Sequence, residues 1–318
     1  MNRISESVKY VVNHSEHVTI NQYALEAFAD NISHDELQIP KLFEKNDALS
    51  LEQSIAFGFV YNAVNFSYWG EPKWTITIGV ESYDGGLGML QALQRGVESG
   101  YDLLSAEYLR TIPKLDLEKI LEGNIEIPLF AERLELLREL GQFVTDNYGG
   151  SFIAIVEKAD WDAVKLVEIL ADEIPEIFDD EVDYKDAKVK FYKRAQLVPS
   201  HLHELHRLGV SMRGVSNMDY LTALADYKVP QVLRKHGIIE YSSDLQDRID
   251  NLVEIKPGSY EEVEIRAMTI WAVERLVRYL KKRIPTVNAI KINHILWLRG
   301  QEKSPNDKPY HRTRTIWY

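Results

Sequence analysis

The stretch from Glu261 to Arg283 constrains the fold most. Val263, Ile265, Met268, Ile270, Trp271, Val273, Leu276, Val277 and Leu280 recur along it near the helical period, and Pro285 stops it. It predicts one long helix that other elements must cover.

Those elements read as mostly helical too. Asn21 to Ile32 carries an apolar stripe at Ala24, Leu25, Ala27, Phe28 and Ile32, with Thr19 as the expected N-cap. In Leu49 to Tyr68, Ser50 and Gln53 fit a capping box. The apolar content rises until both faces are greasy, so the end of this segment should be buried. It runs into NFSYWGEPKW, an aromatic cluster of Phe66, Tyr68, Trp69 and Trp74 broken by Gly70 and Pro72. Helices are also expected over Gly85 to Gly100, over Ala131 to Tyr148, over Asp160 to Ala171 with Asp160 as cap, and over Asn288 to Trp297. Thr75 to Gly79 and Lys188 to Tyr192 alternate as short strands. No internal repeat or linker composition interrupts the chain. The expected fold is therefore a mainly α, single helical domain over residues 1–318, with a few short strands.

Composition removes several function classes. The chain has no cysteine, which excludes disulfides, thiolate nucleophiles and Cys-ligated metal sites. A net charge of −12 opposes a grip on a long phosphate backbone. Basic residues gather only in KVKFYKR (188–194) and from Arg299 to Arg314, which suits a small anionic ligand. No apolar run approaches the roughly 20 residues of a spanning helix, and the start lacks signal-peptide features, so a cytoplasmic location is expected. His201, His203 and His206 lie two and three apart rather than at zinc-protease spacing, which favours capping or surface roles. The glycines of YDGGLG and NYGGS fit neither a phosphate loop nor a dinucleotide fingerprint, and no serine-hydrolase elbow is present.

Leu221 to Gln231, LTALADYKVPQ, is the unusual stretch, because an apolar run delivers one carboxylate, Asp226. Burying an unpaired carboxylate is costly, so such a group is paired, protonated or functional. Two readings stand side by side. A helix ending near Asp226 would present the acid at a kink before Pro230. Alternatively, Asp226 lies at the surface ahead of a helix starting at Pro230. Other parts suggest a direction. The cluster Asn65, Phe66, Tyr68 and Trp69 at a helix end brings aromatic rings that can stack on a flat heterocycle. KRAQ (Lys193, Arg194, Gln196), expected at a strand end, and a tail with Lys308, Tyr310, His311 and Arg312 can hold phosphate. A carboxylate stabilises a cationic sugar centre. Together these are the needs of an enzyme that breaks a base–sugar bond in a nucleotide.

NFSYW at 65–69, GGS at 149–151, FDD at 178–180, KVKFYKRAQL at 188–197, MDYLTALADYKVPQVLR at 218–234, EVEIRA at 262–267 and KPYHRT at 308–313 resemble the queuosine salvage protein family, the queuosine 5′-phosphate N-glycosylases/hydrolases. The resemblance runs from about Asn65 to the end of the chain. It implies release of queuine from queuosine 5′-monophosphate for salvage into tRNA modification, with no metal or organic cofactor. It also implies a helical fold related to helix-hairpin-helix DNA glycosylases. The acid of the ADY motif, Asp226, is then the catalytic residue. Substrate-binding residues carried over are Asn65, Phe66, Trp69, Lys193, Arg194, Gln196, Tyr227, Lys228, Asn293, Trp297, Lys308 and His311. The expected partner is this small-molecule substrate, with no nucleic-acid polymer and no membrane, the chain acting as a monomer. Two departures bear on base recognition. Lys228 stands where the family commonly has arginine, and Asn293 and Leu298 stand where it often has acids. The rival reading is a non-catalytic nucleoside- or nucleotide-binding protein on a glycosylase-like scaffold.

Overall fold

In the computed structural model, which describes residues 3–33, 35–37, 48–302, 304 and 307–318, the long apolar stretch is the helix Tyr260–Leu280. Ser259 caps it by accepting from the Glu262 amide. Its circumference is buried almost throughout, as the near-continuous apolar sequence demands. The chain is mainly helical and forms two compact units.

The first unit comprises the described residues of Met1–Leu42, Asp180–Gln196 and Asn217–Arg314. Around Tyr260–Leu280 pack the helices Arg3–His14, Gln22–Asp30, Lys228–Lys235 and Ala289–Arg299. Arg3–His14 turns Ile4, Val8 and Val11 inward, one stripe at positions i, i+4 and i+7. The strand Val18–Ile20 pairs antiparallel with Ile239–Tyr241, and Glu181–Tyr184 pairs with Ala187–Lys190 in a hairpin. Glu264 on the central helix is buried, yet it is satisfied. It accepts from the Ser15 hydroxyl at 2.7 Å, the His17 and Val18 amides at 2.6 and 3.1 Å, and the Tyr184 hydroxyl at 2.8 Å. One acid thereby fixes the turn that launches the first strand.

The second unit comprises the described residues of Phe43–Asp179, Leu197–Ser216 and Thr315–Tyr318. The capping box expected at Ser50 and Gln53 is present, and the helix Leu51–Ala63 that follows is buried on nearly all sides. It packs on Phe130–Tyr148 and Phe152–Lys158. Phe130–Tyr148 also crosses Ala106–Leu109 so closely at Gly141 that a Cβ there would clash with the Arg110 nitrogen. The strands Thr75–Ile78 and Glu81–Asp84 form a hairpin covered by Gly85–Glu98.

Several local expectations are corrected. Asn21, not Thr19, caps Gln22–Asp30; its side chain accepts from the Ala24 amide, while Thr19 is paired in a strand. Asp162, not Asp160, caps Ala163–Glu173, because Asp160 is already turned to φ 54°. KRAQ is not a strand end. The strand stops at Lys190, Tyr192 takes φ 49°, and Lys193 begins the helix Lys193–Arg207. Three- and four-residue strands such as Val18–Ile20 and Glu181–Tyr184 were too brief to show a period.

Candidate active site

Leu221 to Ala225 belongs to no helix or strand, yet every one of these residues is buried. Buried backbone outside regular structure must find its partners elsewhere. Three side chains supply them. Gln196 accepts from the Thr222 amide at 2.7 Å and donates to the Phe191 carbonyl at 3.0 Å. Asn293 accepts from the Leu224 amide at 2.9 Å. Arg266 donates through Nε to the Ala225 carbonyl at 3.3 Å. Held in this way, the segment ends at Asp226, which is half-buried. Asp226 Oδ1 accepts from the Lys228 and Val229 amides at 2.8 and 2.9 Å. The carboxylate, one residue ahead of the N-cap Tyr227, therefore satisfies the first amides of the helix Lys228–Lys235, whose N-terminal dipole favours a negative charge there. Pro230 sits in the first turn of that helix, where its missing N–H costs nothing. No helix ends at Asp226. A helix does begin beyond the acid, but at Lys228 rather than Pro230, and the acid is half-buried rather than at the surface.

Buried charges surround the segment in alternating sign. Arg266 forks onto Asp180 through both terminal nitrogens, with Nη1 at 2.9 Å from Oδ1, and its guanidinium lies 3.9 Å from the centroid of the Phe191 ring. Glu262, one turn earlier, is 3.6 Å away. Lys193 and Arg194 are buried in the first turn of their helix. Burial pushes the Lys193 ammonium down to about 8, the negative charge of Asp226 works against that, and Arg194 and Arg266 add to it. His311 is held neutral in the same way, pushed down to about 3 by burial and by Arg266.

Beyond Asp226 the lining turns aromatic. Tyr227 and Tyr310 pack with centroids 4.8 Å apart, and Lys228 Nζ lies 5.1 Å over the Tyr310 ring. Gln231 donates to the Lys308 carbonyl at 2.7 Å, which ties the tail residues to this helix. The Lys308 ammonium itself is exposed, 3.4 Å from Asp250. Trp297 is half-buried on Ala289–Arg299.

The structure thus gathers Lys193, Arg194, Gln196, Asp226, Tyr227, Lys228, Asn293, Trp297, Lys308 and His311 in the first unit. Gln196 binds the Phe191 and Thr222 backbone and the Thr222 hydroxyl, and Asn293 gives its Oδ1 to the Leu224 amide. Asn65, Phe66 and Trp69 belong to the second unit. There Asn65 accepts from the Tyr68 hydroxyl at 3.0 Å, and the Arg133 guanidinium lies 4.1 Å over the Phe66 ring. Arg133 also donates to the carbonyls of Val64, Phe66 and Ser67. His201 is buried against Gly58 with Nε2 3.3 Å from the Ser54 carbonyl, and His206 pairs with the Ser211 carbonyl. Among the described residues no group of three His, Asp or Glu side chains could hold a metal ion.

Sequence reading had assigned no role to Asp180, Glu262 or Arg266, although FDD and EVEIRA contain them. Charges set in apolar periodic runs were the available signal, since such residues are rarely buried unless paired.

A family model described as "Queuosine salvage protein" matches residues 44–318. The chain is 42% identical over 259 residues to the queuosine 5′-phosphate N-glycosylase/hydrolase of Sphaerobacter thermophilus, covering 81% of this chain and 80% of that protein. The Bos taurus protein of the same name is 28% identical over 335 residues, 98% of each chain. The one from Schizosaccharomyces pombe is 25% identical over 326 residues, 95% of this chain and 92% of that protein.

Proposed function

The chain belongs to the queuosine salvage protein family, and on that premise we propose that it is a hydrolase of the N-glycosidic bond of queuosine 5′-monophosphate. Its products are queuine, for reuse in tRNA modification, and ribose 5-phosphate. The observation that carries this reading is the carboxylate of Asp226, fixed by two amides within reach of the buried ammonium of Lys193, next to which Arg194 is also buried. Queuine is a 7-deazaguanine, with carbon in place of the N7 that purine glycosylases protonate. The burden therefore shifts to the sugar. As the C1′–N9 bond breaks, its electron pair leaves with the base and positive charge develops on the ribose. A carboxylate beneath C1′ stabilises that charge, and the oxygen of water completes the new bond at C1′. The base takes up the proton that balances the reaction. Lys193 and Arg194 answer the phosphate, and Tyr227 and Trp297 offer faces to the base.

On this reading both compact units serve one functional domain, since the family match covers residues of each. The helical architecture supports a fold related to the helix-hairpin-helix DNA glycosylases. The same reading has the protein act in the cytoplasm as a monomer on a free mononucleotide. Among the described residues, no helix is long and apolar enough to cross a membrane. The test is incubation with queuosine 5′-monophosphate, free queuine being followed by mass-resolved chromatography, with Asp226→Asn in parallel. Release by the parent alone is expected. Tight nucleotide binding without release by either protein would instead favour a binding protein.

A further inference from the structure

We infer that Arg266 is a positioning residue for Asp226, acting through the Ala225 carbonyl, with Asp180 holding its fork and Gln196 and Asn293 completing the clamp. The inference rests on the reading of Asp226 as the acid at C1′. Arg266 makes no use of its charge at the surface, being 2% exposed. One edge of its guanidinium is taken by Asp180, one face by the Phe191 ring, and Nε by the peptide oxygen immediately before Asp226. A planar group held on an edge and a face has one orientation left, so the carbonyl it meets is fixed in direction as well as in place. The Thr222 and Leu224 amides are pinned on Gln196 and Asn293, both of which are themselves buried. Asp226 then inherits a backbone with no play on its N-terminal side and is tied by Oδ1 to two amides on the other.

Stability alone is a weak reason for such an arrangement. A buried ion pair rarely outperforms apolar residues of the same volume, because desolvation offsets the attraction. A reacting carboxylate gains from it directly, since misplacement by about 1 Å can cost on the order of 10²-fold in rate.

The experiment measures kcat and KM for queuosine 5′-monophosphate in Arg266→Lys, Asn293→Ala and Asp226→Asn, each checked for folding by circular dichroism and thermal melting. Lysine keeps the charge of Arg266 but cannot hold Asp180 and the Ala225 carbonyl at once. We expect kcat to fall about 10–100-fold with KM within about threefold, because the chemical step and not binding is disturbed. Asn293→Ala, which frees only the Leu224 amide, should show the same split with a smaller loss, and it carries the test if Arg266→Lys does not fold. A folded variant with parental kcat overturns the inference. So does a loss seen only in KM, or one that merely follows the unfolded fraction. If Asp226→Asn turns over normally, the assignment of Asp226 fails first. If Asp226→Asn is inactive while folded Arg266→Lys is not impaired, only the positioning role fails.

Discussion

Two buried irregular segments invite comparison, residues 64–69 in one unit and 221–226 in the other. Both lack a ladder or helix to absorb their backbone groups, and both recruit side chains from far along the chain. In the first, one guanidinium gathers the carbonyls, and the Ser67 amide and hydroxyl reach the Tyr318 and Thr315 carbonyls. Arg133, wholly buried, donates to three carbonyls and covers the rings of Phe66 and Tyr68. In the second, three side chains hold the backbone and the segment ends on Asp226. Among the described residues, only Oδ1 of that carboxylate accepts hydrogen bonds. The first segment spends its polar capacity inside the protein. The second ends on a carboxylate with one oxygen outside these bonds, and the contrast is the one expected between a device for stability and the proposed device for chemistry.

The contrast predicts opposite consequences. Arg133→Met should be the most damaging change. It takes a charged donor from the buried carbonyls of Phe66 and Ser67 at roughly 1–3 kcal/mol each, while Val64 keeps the Phe66 amide, and a fall of a few kcal/mol in denaturant unfolding free energy is expected; a loss under about 1 kcal/mol would break the comparison. Asp226→Asn should do the reverse. Asparagine caps a helix as well as aspartate does, so the melting midpoint should stay close to the parent while kcat falls on the order of 10²–10³-fold.

A pH series sharpens the contrast. With Lys193 at about 8 in the folded protein against an ordinary 10.5, the unfolded chain holds more protons between those values. Stability from this group therefore rises with pH across the window, whereas the positive charge offered to a phosphate disappears. The expected result is a KM for the monophosphate that climbs above pH 8 with no matching loss of stability from Lys193. His201 acts at the other end. Burial pushes it from 6.5 to about 4, so the unfolded chain protonates first and stability falls as the pH drops through that range. The smallest effect is local: Ser50→Ala should cost about 1 kcal/mol by removing the capping box. Calorimetry across the two pH ranges and on the Ser50 variant checks all three.

What the sequence disclosed follows the range of the forces involved. The Ser50–Gln53 box and the helices Phe130–Tyr148 and Tyr260–Leu280 were legible because caps and apolar periods act within a few residues. Asp226 stood out because a lone acid in an apolar run is costly to explain away. Its supports were hidden. Arg266 reaches the Ala225 carbonyl across 41 residues and Asp180 across 86, and no local rule links them. That Gln196 and Asn293 also hold this backbone had no sequence signal, because an amide offers the same donors and acceptors to a base as to a peptide. The strand end expected at KRAQ failed on one residue, Tyr192, whose left-handed φ turned the chain into a helix.

Glu264 has a bearing on how this protein is made. It grips the turn at Ser15 from 249 residues downstream. At roughly 5–20 residues per second, a ribosome needs on the order of 12–50 s to deliver that acid after the turn has emerged. Most of the second unit is made in that interval, but its last four residues, Thr315–Tyr318, follow the acid. The opening helix can meet Ala187–Lys190 earlier, but the turn after it gains its four-fold anchor only when Glu264 arrives.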